Sequence, residues 1–412
     1  MRILLTANAS CVPPRGGATR SNLIWMDQMA GAGHGCRIVC GASGEGAELC
    51  FHESIAVFAV EDPSRRIQVL RRQIREFEPD WVLVSSEDLG HGLLREAQHS
   101  APGHVVYLAH TPQFFPFGPA SWNPDREAAA LVAEAAGAVA IGHCVADYIK
   151  RWLGRAAVVI HPPIYGAGPF ADYGASGDGL VTGLVTMINP CAVKGLPVFL
   201  EIAARLPETE FGVVPGWGTT ASDRRALERL PNVRILPNAR HIDEVLAQTR
   251  VLLMPSLWYE GFGLIVMESM LRGIPVVASD AGGLVEAKQG TGYVIPVNTI
   301  ERYEPVFDEH AMPRPVVRPN DPAPWVAALR ELLTDSAAYR RESQASRMAA
   351  QRFVGGLDAA DMERYLTSLA VASDARTDAR PDRGHGHATI ESLSPEKRAL
   401  LLELLRKRKG VK

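Results

Sequence analysis

The sequence predicts an α/β protein made of two parallel-sheet domains. Short, continuous apolar runs alternate with segments of helical period, the pattern of strands covered by helices on both faces. A stretch rich in proline and glycine, 161–179, interrupts this alternation, which then restarts. With 412 residues, 47 % of them hydrophobic, the chain can fill two cores of ordinary size.

The first domain is expected over 1–165. Residues 2–7 form a short apolar run suited to a strand, 18–32 repeat apolar residues at helical spacing, and 36–40 return to a strand. A helix at 65–77 carries its apolar face on Ile67, Leu70, Ile74 and Phe77. Its five arginines (Arg65, Arg66, Arg71, Arg72, Arg75) suit an ordinary surface helix, with contact to anionic lipid as the alternative. Strands follow at 81–85 and 104–109, the second ending on His110. Helices at 126–136 and 145–153 accompany strands at 138–141 and 158–160.

The second domain is expected over 180–350. Strands at 180–188, 210–214, 233–236, 251–254, 274–280 and 292–295 alternate with helices at 196–205, 242–247, from Gly263, and at 323–334. Residues 296–319 read as a long loop rich in proline and charge, either a lid or a domain-packing element. A helix in 351–371 is expected to return toward the first domain. The stretch 372–390, dominated by Asp, Arg, Gly and His, reads as a disordered linker. In 391–412, Ser394 as N-cap and Pro395 at the first helical position open a Leu-rich tail helix.

Composition narrows the function. A net charge of −3 argues against a nucleic-acid partner, because phosphate backbones need a basic surface. The six cysteines show no paired spacing of a zinc site and read as free thiols in a reducing cytoplasm. The chain shows neither a signal peptide nor an apolar run of membrane-spanning length.

The chemistry concentrates in 255–280. Val251-Leu252-Leu253-Met254 reads as a buried strand that Pro255-Ser256 ends. Gly261 and Gly263 let the backbone turn tightly beside a ligand, and Leu264, Met267 and Leu271 then take helical spacing. The N-terminus of that helix offers free N–H groups to an anion. Glu260 precedes the helix and Glu268 lies one to two turns inside it. Two carboxylates beside an anion site make poor phosphate ligands and good acceptors for sugar hydroxyls on either side of a phosphate. A glutamate pair at this spacing is otherwise an ordinary solvated helix face; the ordered strand, turn and following Gly-Ile-Pro-Val-Val strand argue against that reading.

This block resembles the signature of retaining glycosyltransferases of family four, with two glutamates separated by seven intervening residues and Gly-Phe-Gly-Leu after the first. The resemblance extends over about 1–370. It implies the GT-B fold, two Rossmann-like domains facing across a cleft, with ligands beyond the carboxyl ends of both sheets. It further implies that Glu268 accepts from the ribose hydroxyls, and that Glu260 with the amides of Phe262, Gly263 and Leu264 holds the donor sugar and its phosphate. Gly16 and Gly17 would turn beside the donor diphosphate. The family places a lysine and an arginine five residues earlier on the pyrophosphate. Here Lys194 matches the lysine, but Asn189 stands at the arginine position, where a restored arginine would be expected to tighten diphosphate binding. The nucleobase would lie near 215–218 and 238–240. His110, at a strand end, would position the migrating sugar rather than act as a free base; His34, His91, His104 and His143 read as structural or surface residues.

The implied reaction is metal-independent retaining transfer from a nucleotide-diphospho-sugar, UDP-hexose foremost, used as a co-substrate, with no further cofactor. Front-face attack, assisted by the departing phosphate, follows because no nucleophile is evident on the opposite face of the sugar. Phe114, Phe115, Phe117 and Trp122 form either an apolar acceptor pocket or a loop anchored by buried aromatics. The tail helix resembles short helices beside condensation domains of peptide synthetases, which implies docking to a biosynthetic partner and a small-molecule acceptor of natural-product type; dimerisation or membrane contact are its alternatives. A retaining disaccharide phosphorylase and a non-catalytic scaffold presenting the tail helix are the competing readings.

Overall fold

In the first half of the chain, buried apolar strands assemble one parallel sheet with helices on both faces. In order these are β1 (Arg2–Thr6), α1 (Gly17–Gly31), β2 (Gly35–Cys40), β3 (Leu49–His52), β4 (Ile55–Ala59), α2 (Pro63–Phe77), β5 (Trp81–Ser85), α3 (Gly92–Ser100), β6 (Val105–Ala109), α4 (Arg126–Glu134), β7 (Gly137–Ala140), α5 (His143–Leu153) and β8 (Val158–Val159). The strand order is β3-β4-β2-β1-β5-β6-β7-β8, with β3 alone antiparallel to its neighbour. The computed structural model describes residues 1–42, 48–174, 182–239 and 241–378. Part of the interdomain stretch (175–181), Arg240, most of the expected linker and the whole tail helix therefore lie outside the described residues.

The second half builds a six-stranded parallel sheet from β9 (Leu184–Ile188), α6 (Leu196–Arg205), β10 (Phe211–Val214), α7 (Ala221–Glu228), β11 (Val233–Ile235), α8 (Asp243–Leu246), β12 (Thr249–Met254), α9 (Leu264–Leu271), β13 (Val276–Ser279), α10 (Leu284–Ala287) and β14 (Val294–Ile295). Its order is β11-β10-β9-β12-β13-β14. Phe199, Phe211, Trp325 and Leu329 fill its core. The chain continues through β15 (Arg302–Phe307), β16 (Pro313–Val316), α11 (Ala323–Thr334), α12 (Ser336–Gly355) and α13 (Asp361–Asp378). Met1–Arg364 form one compact unit, and Tyr365–Lys412 a second.

Three expectations are corrected. Residues 296–319 are not a plain loop: β15 and β16 pair as an antiparallel hairpin. The first residues of the expected linker are helical, because α13 runs to Asp378. The long α12 goes unread in the sequence because its buried face is made of Ala338, Ser343, Ser346, Ala349 and Ala350 around Tyr339, with too little apolar contrast to show a period.

The basic helix α2 is largely neutralised. Arg66 is buried and donates to the carbonyls of Val60 and Glu61, Arg71 forks onto Glu96, and Arg65 and Arg72 both pair with Glu48. No described helix is long and apolar enough to cross a membrane.

Candidate functional site

The strand orders locate the site before any side chain is considered. In the first sheet the chain runs outward one way from β1 through β2 and β4, and the other way from β5 through β6. In the second it reverses between β9 and β12. A crevice opens beyond the carboxyl ends of strands at such a reversal. The segments that leave β1, β5, β9 and β12 are therefore the ones to search.

The segment after β9 makes a tight turn, Ala192–Lys194, closed by Gly195 at φ 86°. A Cβ on Gly195 would sit 1.8 Å from the Pro255 carbonyl oxygen, so only glycine lets this turn lie against the segment that leaves β12. The consequence is an ion pair. Lys194 Nζ donates to Glu260 Oε1 at 2.6 Å and lies 4.2 Å from the centre of the Trp258 ring. Ser256 Oγ donates to the same carboxylate oxygen at 2.5 Å. Glu260 is buried, and its carbonyl accepts from Gly283 N, so both ends of the residue are held. Gly263, at φ 107°, then turns the chain into α9.

Asn189 does not stand where the missing arginine would. It is buried at φ 56°, and its Oδ1 accepts from the Gly218 amide at 3.0 Å and from Thr219 Oγ1. Its acceptor therefore braces 216–219, and the space beside it is closed to a larger side chain: a Cβ on Gly216 would lie only 2.6 Å from Asn189 Oδ1. The expected gain from restoring a cation is withdrawn for this reason.

A cation reaches the site from the opposite domain instead. Arg20 on α1 donates from Nη1 to Glu268 Oε1 at 2.5 Å and from Nη2 to the Ile164 carbonyl. Arg20 and Glu268 line a cavity of about 580 Å³ with Pro14, Tyr165, Ile188 and Asn238, within the size range of small-molecule sites. Of the stretches named for the nucleobase, Asn238 and Ala239 line this cavity beside Val214, whereas 215–218 do not line it.

The first domain closes the site. α1 starts at Gly17 with extended Gly16 before it, and a Cβ on Gly17 would lie 3.1 Å from Leu264 Cδ1, so the starts of α1 and α9 abut. Gly261 approaches His110 so nearly that a Cβ would lie 2.1 Å from the His110 carbonyl oxygen. The His110 ring is buried and stacks on Trp25 at 5.9 Å; Nε2–H donates to Asn22 Oδ1 at 2.8 Å. Burial pushes its pKa down to about 3, so the imidazole is neutral, and Nδ1 is an acceptor with no partner among the described residues. The other histidines are tied into the scaffold: His34 bridges the N-terminal amine and Glu363, His91 and His104 bond to carbonyls of Asn123 and Asp80, and the His143 amide donates to Glu286.

Lys194, Glu260, the 261–264 turn and Glu268 thus share one wall, and Gly16, Gly17 and His110 form the facing one. The aromatic loop is anchored: Phe115 and Phe117 are buried against Tyr148, while Trp122 reaches Trp258 and Tyr303 of the hairpin. Sequence reasoning missed Arg20, Ser256 and Glu87. Arg20 and Ser256 carry no pattern of their own. Glu87 had a signal, two residues past a strand end, but Ser86-Glu87-Asp88 reads as a plain turn. Burial pushes the pKa of its half-buried carboxyl up to about 7, against the opposing pull of Lys194, Thr111 and Arg15.

Two parallel-sheet domains with a cleft between their carboxyl edges define the GT-B class of fold. Within it, residues 180–335 match the family model for Glycosyl transferases group 1. A 151-residue stretch, 34 % of this chain, is 29 % identical to D-inositol 3-phosphate glycosyltransferase of Mycobacteroides abscessus. The match spans about a third (33 %) of that relative's length. The fold is similar to sucrose-phosphate synthase from Thermosynechococcus elongatus, with TM-score 0.67 at 15 % identity, covering 90 % of this chain and 99 % of that one. It is also similar to Anabaena HepE in complex with UDP-glucose, with TM-score 0.64 at 16 % identity, covering 90 % and 100 %.

Proposed function

We propose that this protein is a glycosyltransferase that moves a hexosyl group from a nucleotide-diphospho-sugar, UDP-hexose foremost, to a hydroxyl of a small molecule with retention at the anomeric carbon. The observation that carries this reading is the buried Lys194–Glu260–Ser256 constellation at the β9/β12 reversal, directly across from the start of α1. The Anabaena neighbour's complex with UDP-glucose supports the donor class.

In this reading the nucleoside fills the 580 Å³ cavity and its ribose hydroxyls take over Glu268 from Arg20. Arg20 is then free to turn to the diphosphate. Lys194 exchanges part of its contact with Glu260 for phosphate oxygens, and Glu260 turns its free acceptor capacity to the sugar hydroxyls. Lys194, Arg20, Arg15 and the N-termini of α1 and α9 meet the charge that develops on the leaving diphosphate, so the site needs no metal ion for this task. His110, neutral, accepts from a sugar hydroxyl at Nδ1. The acceptor attacks the face from which the diphosphate leaves. The segment 391–412, which lies outside the described residues, is proposed to dock on a biosynthetic partner in the cytoplasm.

A thermal-shift titration with UDP, GDP, ADP, TDP, their glucose conjugates and inorganic phosphate tests the reading. Stabilisation by one nucleoside diphosphate is expected, because binding to the folded state raises apparent stability by mass action. Stabilisation by phosphate alone would redirect the function to phosphorolysis, and no response to any of them would sink the donor assignment.

A further inference from the structure

The segment that joins the two domains is tied at both ends to residues that hold Glu268. After β8, Ile164 N donates to the Pro162 carbonyl at 2.9 Å, and the Ile164 carbonyl accepts from Arg20 Nη2 at 3.2 Å. Further along, Tyr173 N donates to the Arg272 carbonyl at 2.9 Å, and the Tyr173 hydroxyl donates to Asp243 Oδ1 at 3.0 Å. Arg272, just past α9, forks onto Asp243 through Nε and Nη2, and its Nη1 donates to the Glu268 carbonyl at 2.9 Å. Glu268 is thus fixed at its carbonyl by Arg272 and at its carboxylate by Arg20.

Between these two ties stands Tyr165. It is the one residue of 161–174 that lines the cavity of about 580 Å³, where it joins Arg20 and Glu268. Its ring is half-buried and packs on the apolar core. Its hydroxyl oxygen is fully enclosed and has no hydrogen-bond partner among the described residues. An enclosed hydroxyl left without a partner is costly, and phenylalanine would pack the same ring without that cost. The contrast with Tyr173 is direct: two tyrosines of one segment, one with its hydroxyl bonded into the scaffold and the other with its hydroxyl unused. A ligand entering the cavity supplies the missing partner.

Resting on the donor reading above, in which ribose hydroxyls take Glu268 from Arg20, we infer that Tyr165 is a further donor-binding residue that sets specificity for ribose. Its hydroxyl donates to a ribose hydroxyl oxygen, and that hydroxyl gives its own proton to Glu268. A hydroxyl carries one proton and two acceptor lone pairs, so a single ribose hydroxyl satisfies both groups at once. Arg20, in giving up the Glu268 carboxylate, opens the way to the phenol. Burial, with the Glu268 carboxylate adding to it, raises the phenol pKa well above its ordinary value, so the group stays a neutral donor. A deoxyribose leaves the phenol and the buried carboxylate unmatched, and a site built to bond a hydroxyl rejects the analogue that lacks it. The same contact places the ribose against the segment that connects the two domains.

The test is calorimetric titration of the full chain with UDP, 2′-deoxy-UDP and 3′-deoxy-UDP, in wild type, Tyr165→Phe and Tyr173→Phe. Where GDP or ADP binds wild type more tightly than UDP, that nucleotide and its deoxy analogues replace the uridine set. Wild type is expected to bind UDP at least about tenfold more tightly than one of the two deoxy analogues. Tyr165→Phe should weaken UDP by about fivefold, the worth of one hydrogen bond, and leave that analogue within about twofold, so discrimination shrinks by the same factor. Its urea midpoint should stand at or above wild type, because only an unpartnered hydroxyl is lost. Tyr173→Phe, which loses a scaffold hydrogen bond, should keep wild-type discrimination. UDP affinity of Tyr165→Phe unchanged within about twofold, or an equal loss for UDP and the analogues, overturns the inference. So does a Tyr165→Phe midpoint well below wild type, which would show that the hydroxyl serves the fold. Loss of discrimination in Tyr173→Phe as full as in Tyr165→Phe overturns it too, by tracing the effect to the packing of the segment. Wild type that binds UDP and both deoxy analogues alike refutes the ribose contact alone; wild type that binds no nucleoside diphosphate refutes the donor reading beneath it.

Discussion

Replacing Lys194 with methionine isolates the ion pair on which the donor site is built. Lys194 and Glu260 are 2.6 Å apart, with side chains only 14 % and 9 % exposed. At an effective dielectric constant of about 20, two charges at that distance attract by about 6 kcal/mol before desolvation is set against it. Desolvation takes back most of this, several kcal/mol per ion, so the intact pair contributes little net. The asymmetry appears when one partner goes. Lys194→Met removes the ammonium that lies over Trp258 and strands a buried carboxylate with only the Ser256 hydroxyl as donor. The expected loss is about 3–5 kcal/mol. Adding Glu260→Gln removes the stranded charge, and the double variant should regain stability to within about 1 kcal/mol of wild type, a coupling that a double-mutant cycle reads directly. Urea denaturation followed by tryptophan fluorescence provides the stabilities, and calorimetric titration with UDP the affinities. Nucleotide affinity should fall at least about tenfold in Lys194→Met, the worth of a charge-assisted hydrogen bond of about 1.5–3 kcal/mol, and should not return in the double variant. A single variant that unfolds at the wild-type midpoint, or a double variant no more stable than the single, would show that the pair does not hold the turn after β9.

Three further outcomes follow from the same geometry. Glu268→Ala should weaken UDP binding by tenfold or more, from lost charge-assisted bonds of about 1.5–3 kcal/mol, whereas Arg20→Ala should cost less than about 1 kcal/mol of folding stability because its guanidinium is partly solvated; calorimetry and denaturation separate the two. Gly195→Ala forces a Cβ to 1.8 Å from the Pro255 carbonyl in a left-handed turn, and should lower the denaturation midpoint by more than about 2 kcal/mol together with UDP affinity. The His110 pKa is lowered in the folded protein to about 3, so the unfolded chain binds more protons below the ordinary histidine range. Its contribution to stability is therefore complete above about pH 6.5 and lost as pH falls toward 3, and His110→Gln should show a shallower acid slope in urea midpoints measured from pH 7 to 4.

Much of the fold was legible because its strands are short, continuous apolar runs ended by polar or turn-forming residues. β1, β2, β5, β6, β9, β12 and β13 all lie where the pattern predicts, within a residue or a few at their ends. What failed to show was whatever is held by contacts distant in sequence. β3 is short and half exposed, α12 buries alanine and serine, and the β15–β16 hairpin depends on Tyr303 packing against Trp122 of the other domain. The site divides in the same way. Glu260, Glu268, Lys194 and the 261–264 turn could be found because glycines and strand ends mark them locally. Arg20 could not, because its partner Glu268 lies 248 residues away.

The sequence by itself determined two parallel-sheet domains and marked a candidate site in the second, with the residues of one of its walls. These are properties of period, chain punctuation and residue type, all readable over a span of ten or so positions. Only the tertiary structure decided that Asn189 braces a neighbouring loop and that Arg20 crosses from the first domain to Glu268. Those facts rest on strand order. Which carboxyl ends adjoin at the two chain reversals, and so which charges share a cleft, is set by the packing of whole sheets.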